Sequence, residues 1–448
     1  MARSLTRAVA VVGTGLLVAG IAAPGDAAPP VRGGAATAVR AAGSGIDARA
    51  LGEVDTQALG GTRLLGVHTA RKKKKKKKKK KQPTVRTGPI FNSPTGAKTR
   101  QRAIVTQIDR LIAGAPKGAV IYIAMYHFST QDLATRLVKA KKRKVNVRVV
   151  LDHESGGYKA YKTLKKSLGT NRKKSSWVTL CAKGRGCIGP QFNHNKFFLF
   201  SSTLHSKKVV LQTSANATYN ARDLQYNDAL TLKSASVYAA YRRYFYDLAK
   251  QHHTGDYHRI VRAGKYRMDF FPWSAGDPVS QALDKVSCTG GTHLRIVMGH
   301  FTWRPIAQRL WRLDDAGCRV QVVFGHVGQS ALRDLTRSGG RHGGPEVRYL
   351  PDNGHAYEHS KYLLIDGRYQ GKKQKVVFTG STNYTDPAFH GHDEAMLTIA
   401  DAALEKSYVT NFGTVFGRGK AVKSADARLS ATGVVVPDYA DDTAEADD

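Results

Sequence analysis

Acidic residues are scarce in this sequence: Asp and Glu number 34 against 71 Lys and Arg, for a formal net charge of +37 over 448 residues. Few carboxylates also means no cluster of acids and histidines of the kind that holds two metal ions. Cysteine is rare too, with four in all and no Cys-x-x-Cys, and the intervals are unlike those of a zinc ribbon. No metal ion and no cofactor is therefore expected. Long apolar runs are missing after residue 23, which argues against a transmembrane helix in the body of the chain. Hydrophobic residues still make up 41% of the sequence, enough for a core, and the length suits two to three ordinary domains or one large one.

What is present begins with an export pattern. Arg3 and Arg7 precede the apolar stretch 8–23, and small residues follow, so residues 1–28 read as a signal peptide and the protein as secreted. Residues 29–87 read as a disordered linker, because ten adjacent lysines, Lys72 to Lys81, repel one another and bury nothing. With Arg71, that run carries eleven positive charges and leaves +26 on the rest. Such a surface concentrates anionic partners, so binding of an anionic membrane or nucleic acid through the lysine run is expected. Residues 426–448 form an acidic tail, also expected to be disordered. Four cysteines suit an exported protein. Of the three pairings they allow, which sequence alone does not separate, Cys181–Cys187 and Cys288–Cys318 is favoured.

Between the tails lies a repeated plan. Ile104, Ile108, Leu111 and Ile112 share one helical face, ahead of a strand over 119–128, a helix from 131 with a basic last turn, and a strand over 145–152. Ser129 or Thr130 can cap that helix. Strands over 294–301 and 318–326, with a helix between them ending at Gly317, repeat the order. The fold class expected is α/β: two homologous α/β/α sandwich halves, 88–262 and 263–425, packed as a pseudo-dimer with one active site at their interface. The chain is expected to be a monomer.

Each half then carries His-x-Lys running into an apolar strand: His194 and Lys196 in "FNHNKFFLF", His359 and Lys361 in "YEHSKYLLIDG". Residues two apart on a strand point the same way. A buried ammonium is costly without an anion, so both pairs are expected to open onto a cleft. Downstream come Ser214 and Asn216, then Asp228; the second copy has Ser381 and Asn383, then Glu394. From His to the acid is 34 residues in one copy and 35 in the other.

These residues resemble the motif of the phospholipase D superfamily: His-x-Lys, four residues, Asp, then Gly-Ser-x-Asn and a later acid. The second copy matches fully through His359, Lys361, Asp366, Gly380, Ser381, Asn383 and Glu394. The first departs, with Ser201 in the Asp position and Thr213 in the Gly position. The resemblance implies a phosphodiesterase whose catalytic residues are His194, His359, Lys196, Lys361, Asp228 and Glu394. It implies substrate-phosphate binding by Asn216, Asn383, Ser214 and Ser381, and a structural part for Asp366 and Gly380. One neutral imidazole would attack phosphorus, with His194 the implied nucleophile, and a protonated one, His359, would serve the leaving oxygen. Asp228 and Glu394 would orient the rings. The substrate expected is a phospholipid or other phosphodiester, with transfer to an alcohol as a variant outcome. A secreted metal-independent nuclease of the same fold and a non-catalytic polyanion-binding protein are the competing readings. Asn216 and Asn383 also lie in Asn-x-Thr sequons, but a glycan there would fill the cleft.

Overall fold

Short apolar runs alternating with amphipathic helices give two sheets, each covered by helices. The computed structural model describes residues 83–350, 356–422 and 434–436. The expected signal peptide, the lysine run and most of the acidic tail lie outside the described residues. No helix among the described residues is long and apolar enough to cross a membrane.

The first half runs β1 (Gly88–Phe91), α1 (Lys98–Gln101), α2 (Ala103–Ala113), β2 (Val120–Met125), α3 (Gln131–Lys142), β3 (Asn146–Leu151), α4 (Lys159–Leu168), β4 (Trp177–Leu180), β5 (Lys196–Thr203), β6 (Ser206–Thr213), α5 (Tyr219–Asp223), β7 (Gln225–Tyr226), β8 (Asp228–Lys233) and α6 (Ala235–Lys250). The second runs β9 (Arg259–Ala263), β10 (Tyr266–Phe270), α7 (Pro278–Leu283), β11 (Val286–Ser287), β12 (His293–Phe301), α8 (Arg304–Asp315), β13 (Arg319–Gly328), α9 (Gln329–Leu335), β14 (Glu346–Tyr349), β15 (Tyr357–Glu358), β16 (Lys361–Tyr369), β17 (Lys372–Gly380), α10 (Asp386–His390), β18 (Ala395–Ala400), α11 (Ala402–Arg418), β19 (Lys420–Val422) and β20 (Val435–Val436). The division expected at 262 falls inside β9.

The first sheet has the order β1-β8-β6-β5-β2-β3-β4, and the second contains the run β10-β18-β17-β16-β12-β13-β14. These are the same path. In both, the first strand–helix–strand unit is parallel and the His-x-Lys strand returns antiparallel beside it. A parallel pair needs a crossover helix, which α3 and α8 supply. The local reasons are ordinary ones. α2 buries Ile104, Ile108, Leu111 and Ile112 as one stripe, and α3 buries Leu133, Ala134, Leu137 and Ala140 while ending on three lysines. Thr130 does not cap α3 with its side chain: its hydroxyl donates instead to Ala217 O at 2.9 Å, tying the helix start to the loop after β6.

Helices α2, α3 and α4 cover the outer face of the first sheet, and α7, α8 and α9 that of the second. Between the sheets, α6 packs on the first and also meets Met268, Phe270, Leu397 and Ile399 from the edge of the second. α11 does the converse, burying Tyr408, Phe412 and Val415 on the second sheet and reaching Phe91 of β1. Both favoured disulfides are present, Cys181–Cys187 and Cys288–Cys318.

Candidate active site

Lys196 pairs in register with Met125, the last residue of β2, and Lys361 pairs with Met298 near the end of β12. Both motifs therefore lie at the carboxyl ends of parallel strands, where open α/β sheets place their ligands. The first residues of β5 and β16 are the lysines themselves, so each histidine precedes its strand in a loop. His194, Lys196, His359 and Lys361 are all buried. Each ammonium turns back on its own motif: Lys196 Nζ donates to His194 O at 3.1 Å, and Lys361 Nζ to His359 O at 3.0 Å. Two buried ammonium groups, one of them within electrostatic reach of Glu358, favour an anionic ligand.

The two halves are interlocked at this point. His194 Nδ1 meets Glu394 Oε1 at 2.6 Å, and the other Glu394 oxygen accepts from the Ser381 hydroxyl. His359 Nδ1 meets Asn227 Oδ1 at 2.8 Å, and the same oxygen accepts from Ser214 Oγ at 2.8 Å. Each imidazole is thus held by a residue of the opposite half. A short parallel bridge of β7 with β15 and the bridge Asn193–Asp393 run alongside.

Two sequence expectations change here. Asp228, expected to orient a ring, lies elsewhere: it is fully buried and accepts from Thr379 Oγ1 at 2.6 Å, Tyr408 OH at 2.9 Å and Lys361 N at 3.3 Å. Burial pushes its carboxyl up, against those hydrogen bonds. The ring partner is Asn227, one residue earlier and just ahead of β8, whose side chain meets His359 while that of Asp228 turns to Thr379 and Tyr408. Counting from His-x-Lys picked the acid one residue too late, since the β16–β17 hairpin is two residues longer than β5–β6, one in each strand. From Asn216 to Asn227 and from Asn383 to Glu394 the interval is eleven residues in both, which is the signal that identifies the pair. Second, Ser214 and Ser381, expected on the phosphate, spend their hydroxyls on the two ring partners. Asp366, expected to be structural, lies five residues up β16 from Lys361 and pairs with Lys375 at 2.7 Å, while Ser201 accepts the Val120 N–H at 2.8 Å. Neither is part of the site.

Asn216 and Asn383 sit in the loops after β6 and β17, both buried. Asn383 Oδ1 accepts the His300 N–H at 3.2 Å. A Cβ at Gly299 would lie 3.1 Å from Lys361 Nζ and 3.3 Å from Asn383 Oδ1, so these two groups converge on one point. The equivalent residue of the first half is Tyr126, whose ring centre is 5.3 Å from Lys196 Nζ and 5.1 Å from the His194 ring. Gly380, the last residue of β17, is needed for close approach: a Cβ there would lie 2.3 Å from Ala395 O. In the first half Thr213 occupies that place and donates its hydroxyl to the corresponding carbonyl, Asp228 O, at 2.8 Å.

Supporting residues were not legible as such. Asp393 accepts N–H groups from Cys187 at 2.6 Å, Ile188 at 3.1 Å and Gly189 at 2.6 Å, so the disulfide loop docks beside Glu394. Burial pushes the Asp393 carboxyl up to about 7. Asp152 accepts Asn193 N at 2.8 Å and so fixes the residue before His194; burial pushes its carboxyl up as well. His390 is turned away, bonded to Asp386 and to Gly276 O. His392 groups with His194 and Glu394 closely enough for three metal ligands. His392 Nδ1 lies 4.0 Å from Glu394 Oε1, the oxygen that His194 Nδ1 meets at 2.6 Å. Cys181, Cys187 and Asp393 also group, but those sulfurs are spent in the disulfide.

A family model described as cardiolipin synthase, PLD-like domain, matches residues 109–249 and again 287–416, together well over half the chain. The chain belongs to the phospholipase D superfamily. It has that superfamily's phosphodiesterase-type fold, built twice. Among solved structures it is similar to phosphatidylserine synthase from Haemophilus influenzae, with 15% identity and a TM-score of 0.56, over 75% of this chain and 88% of that one. It is also similar to polyphosphate kinase from Porphyromonas gingivalis, with 13% identity and a TM-score of 0.53, over 73% of this chain. This chain spans about half of that kinase, 47% of its length. At these identities the likeness is one of fold. No curated protein matches the sequence.

Proposed function

We propose that this protein is an exported phospholipase D-type phosphodiesterase that hydrolyses phospholipids through a covalent phosphohistidine, without a metal, and acts as a monomer. One observation carries the reading: two imidazoles on two buried His-x-Lys motifs, each with Nδ1 held by the opposite half. With Nδ1 committed, Nε2 is the reacting nitrogen. Its lone pair forms a bond to phosphorus as the P–O bond to the leaving group breaks, and the second imidazole gives that oxygen a proton. Water then attacks phosphorus and returns a proton to the second imidazole. The P–N bond breaks with its electrons going back to the first ring, and the phosphomonoester departs. An alcohol in place of water gives the transfer product. Lys196, Lys361, Asn216 and Asn383 balance the charge on the phosphoryl oxygens.

The description of the matching family supports a lipid substrate, and two disulfides support export. The net charge of +37 suits an anionic substrate surface and also favours nucleic acid as the second reading. The deciding experiment offers the purified protein phosphatidylcholine, phosphatidylglycerol and single-stranded DNA in parallel, without added metal. Release of head group, absent in His194→Ala, supports the proposal. Cleavage of DNA alone makes the protein a nuclease, and no turnover of any of them removes the enzymatic reading.

A further inference from the structure

The few acids of this chain are not spread evenly. Residues 437–448, PDYADDTAEADD, hold six of the 34 and no Lys or Arg, on a chain of net charge +37. They follow directly on β20, and β20 is set at the carboxyl end of the second sheet. Val435 and Val436 pair in parallel with Val327 and Gly328, the last two residues of β13, and the Val327 N–H donates to Val434 O at 2.9 Å. Val434 is buried in one cluster with Phe301, Val327 and Leu332, so packing anchors the root of the acidic segment.

We propose that the cleft is also a binding site for an acidic peptide, and that residues 437–448 of this chain are its occupant, excluding substrate until they are displaced. This rests on the phosphodiester reading of the site and adds to it a competitor built into the chain.

Direction, charge and closure carry the proposal. A strand parallel to β13 leaves the sheet at the same end as β13, and that end abuts the site: a Cβ on Gly325 would lie 2.5 Å from the carbonyl of Glu358, the residue before His359. The three residues from Gly325 to Gly328 span about 10 Å, and twelve extended residues reach about 40 Å, so the segment is long enough to cross the site. Lys196 and Lys361 are buried ammonium groups with Asn216 and Asn383 beside them, a set that suits carboxylate oxygens as it suits phosphoryl oxygens. A tether of this length gives an effective concentration of about 1 mM, so a segment with a Kd of about 0.1 mM would fill the site about nine-tenths of the time. His194, Lys196, His359, Lys361 and Asn383 are each at most 2% exposed, although a phosphoryl group has to reach all five. That is a shut site, as an autoinhibited form requires. The lysine run is the rival partner for six carboxylates, but β20 starts the segment at the cleft.

The test compares the wild type with the full chain carrying Asp438→Asn, Asp441→Asn, Asp442→Asn, Glu445→Gln, Asp447→Asn and Asp448→Asn. On a soluble phosphodiester at low salt, kcat/KM of the neutralised protein should be about tenfold higher. The gain should shrink to about twofold or less at about 0.5 M salt, where screening releases the wild-type segment. A synthetic peptide of residues 437–448 should inhibit the neutralised protein competitively. Calorimetry reads its binding without turnover: binding should survive deletion of residues 71–81 and be lost with Lys196→Met and Lys361→Met together. Should that double variant not fold, inorganic phosphate reads the same overlap, displacing the peptide more than chloride does at equal ionic strength. Equal kcat/KM of the two full chains at low salt would overturn the proposal, as would peptide binding that needs residues 71–81 and ignores the two lysines or phosphate. A diester turned over by neither protein, with the peptide still bound through the two lysines, leaves the acidic-peptide site standing and removes the phosphodiesterase reading.

Discussion

Asp393 accepts the backbone N–H of Gly189 at 2.6 Å across 204 residues of chain. The contact joins the Cys181–Cys187 loop of one half to the residue next to Glu394 in the other, so a segment with no catalytic side chain steadies the partner of His194.

Removing that carboxylate should be expensive. Asp393→Ala leaves three buried N–H groups without their acceptor and should cost about 3 kcal/mol or more, read by urea unfolding. Replacing both Cys181 and Cys187 by Ser opens only a small loop and should cost about 2 kcal/mol. A disulfide variant hit harder than Asp393→Ala would mean that the covalent link, not the carboxylate, holds the loop.

Ser201→Asp restores the superfamily pattern in the first half, yet it should change turnover by no more than about twofold, because Ser201 serves the Val120 N–H far from the lysine. Asp366→Ala should likewise spare activity and cost less than about 1 kcal/mol, as expected for a part-exposed ion pair. A large loss of kcat in either would return this position to the chemistry.

Glu358 makes stability depend on pH. Burial pushes its carboxyl up to about 7, from an ordinary 4.5. Between those values the unfolded chain has already lost a proton that the folded chain keeps. Stability from this group is therefore full below about 4.5 and falls as pH rises toward 7. Glu358→Gln should flatten that slope and be the more stable protein above pH 7, by about 3 kcal/mol at most. Parallel melting temperatures of the two proteins from pH 4.5 to 8 would contradict it.

Activity should survive EDTA, because lysine and asparagine side chains supply the charge that a metal would otherwise bring. Full loss on chelation, restored by a divalent ion, is the result that would contradict the phosphohistidine route.

The lysine run should act as a tether. Deleting residues 71–81 should weaken binding to anionic vesicles or DNA, with steep salt dependence lost, and leave turnover of a soluble diester within about twofold. Collapse of that turnover would place the run in the active site.

The sequence made the layers, the strand order within each unit and the two His-x-Lys ends readable, because apolar periodicity and caps are local signals. It placed Asp228 wrongly because the hairpin between motif and acid differs in length, and interval counting carries that error forward. Asp393 and Asn92 were invisible for another reason. Each acts through backbone groups far away in the chain, and nothing in their neighbours announces those partners. Thr130 looked like a helix cap and instead became a tertiary contact, since a carbonyl in the loop after β6 competes for the same hydroxyl.

Two sheets of one strand order, joined in a single polypeptide, have a consequence beyond packing. An assembly of two identical copies would impose rotational symmetry on its shared site, and both rings would face the same kind of partner. Covalent union lifts that constraint. Tyr126 can stand opposite Gly299, Thr213 opposite Gly380 and Asn227 opposite Glu394, and each exchange alters one side alone. Inheritance of two unlike versions of the same loop is what lets a duplicated scaffold give its left and right hands different work.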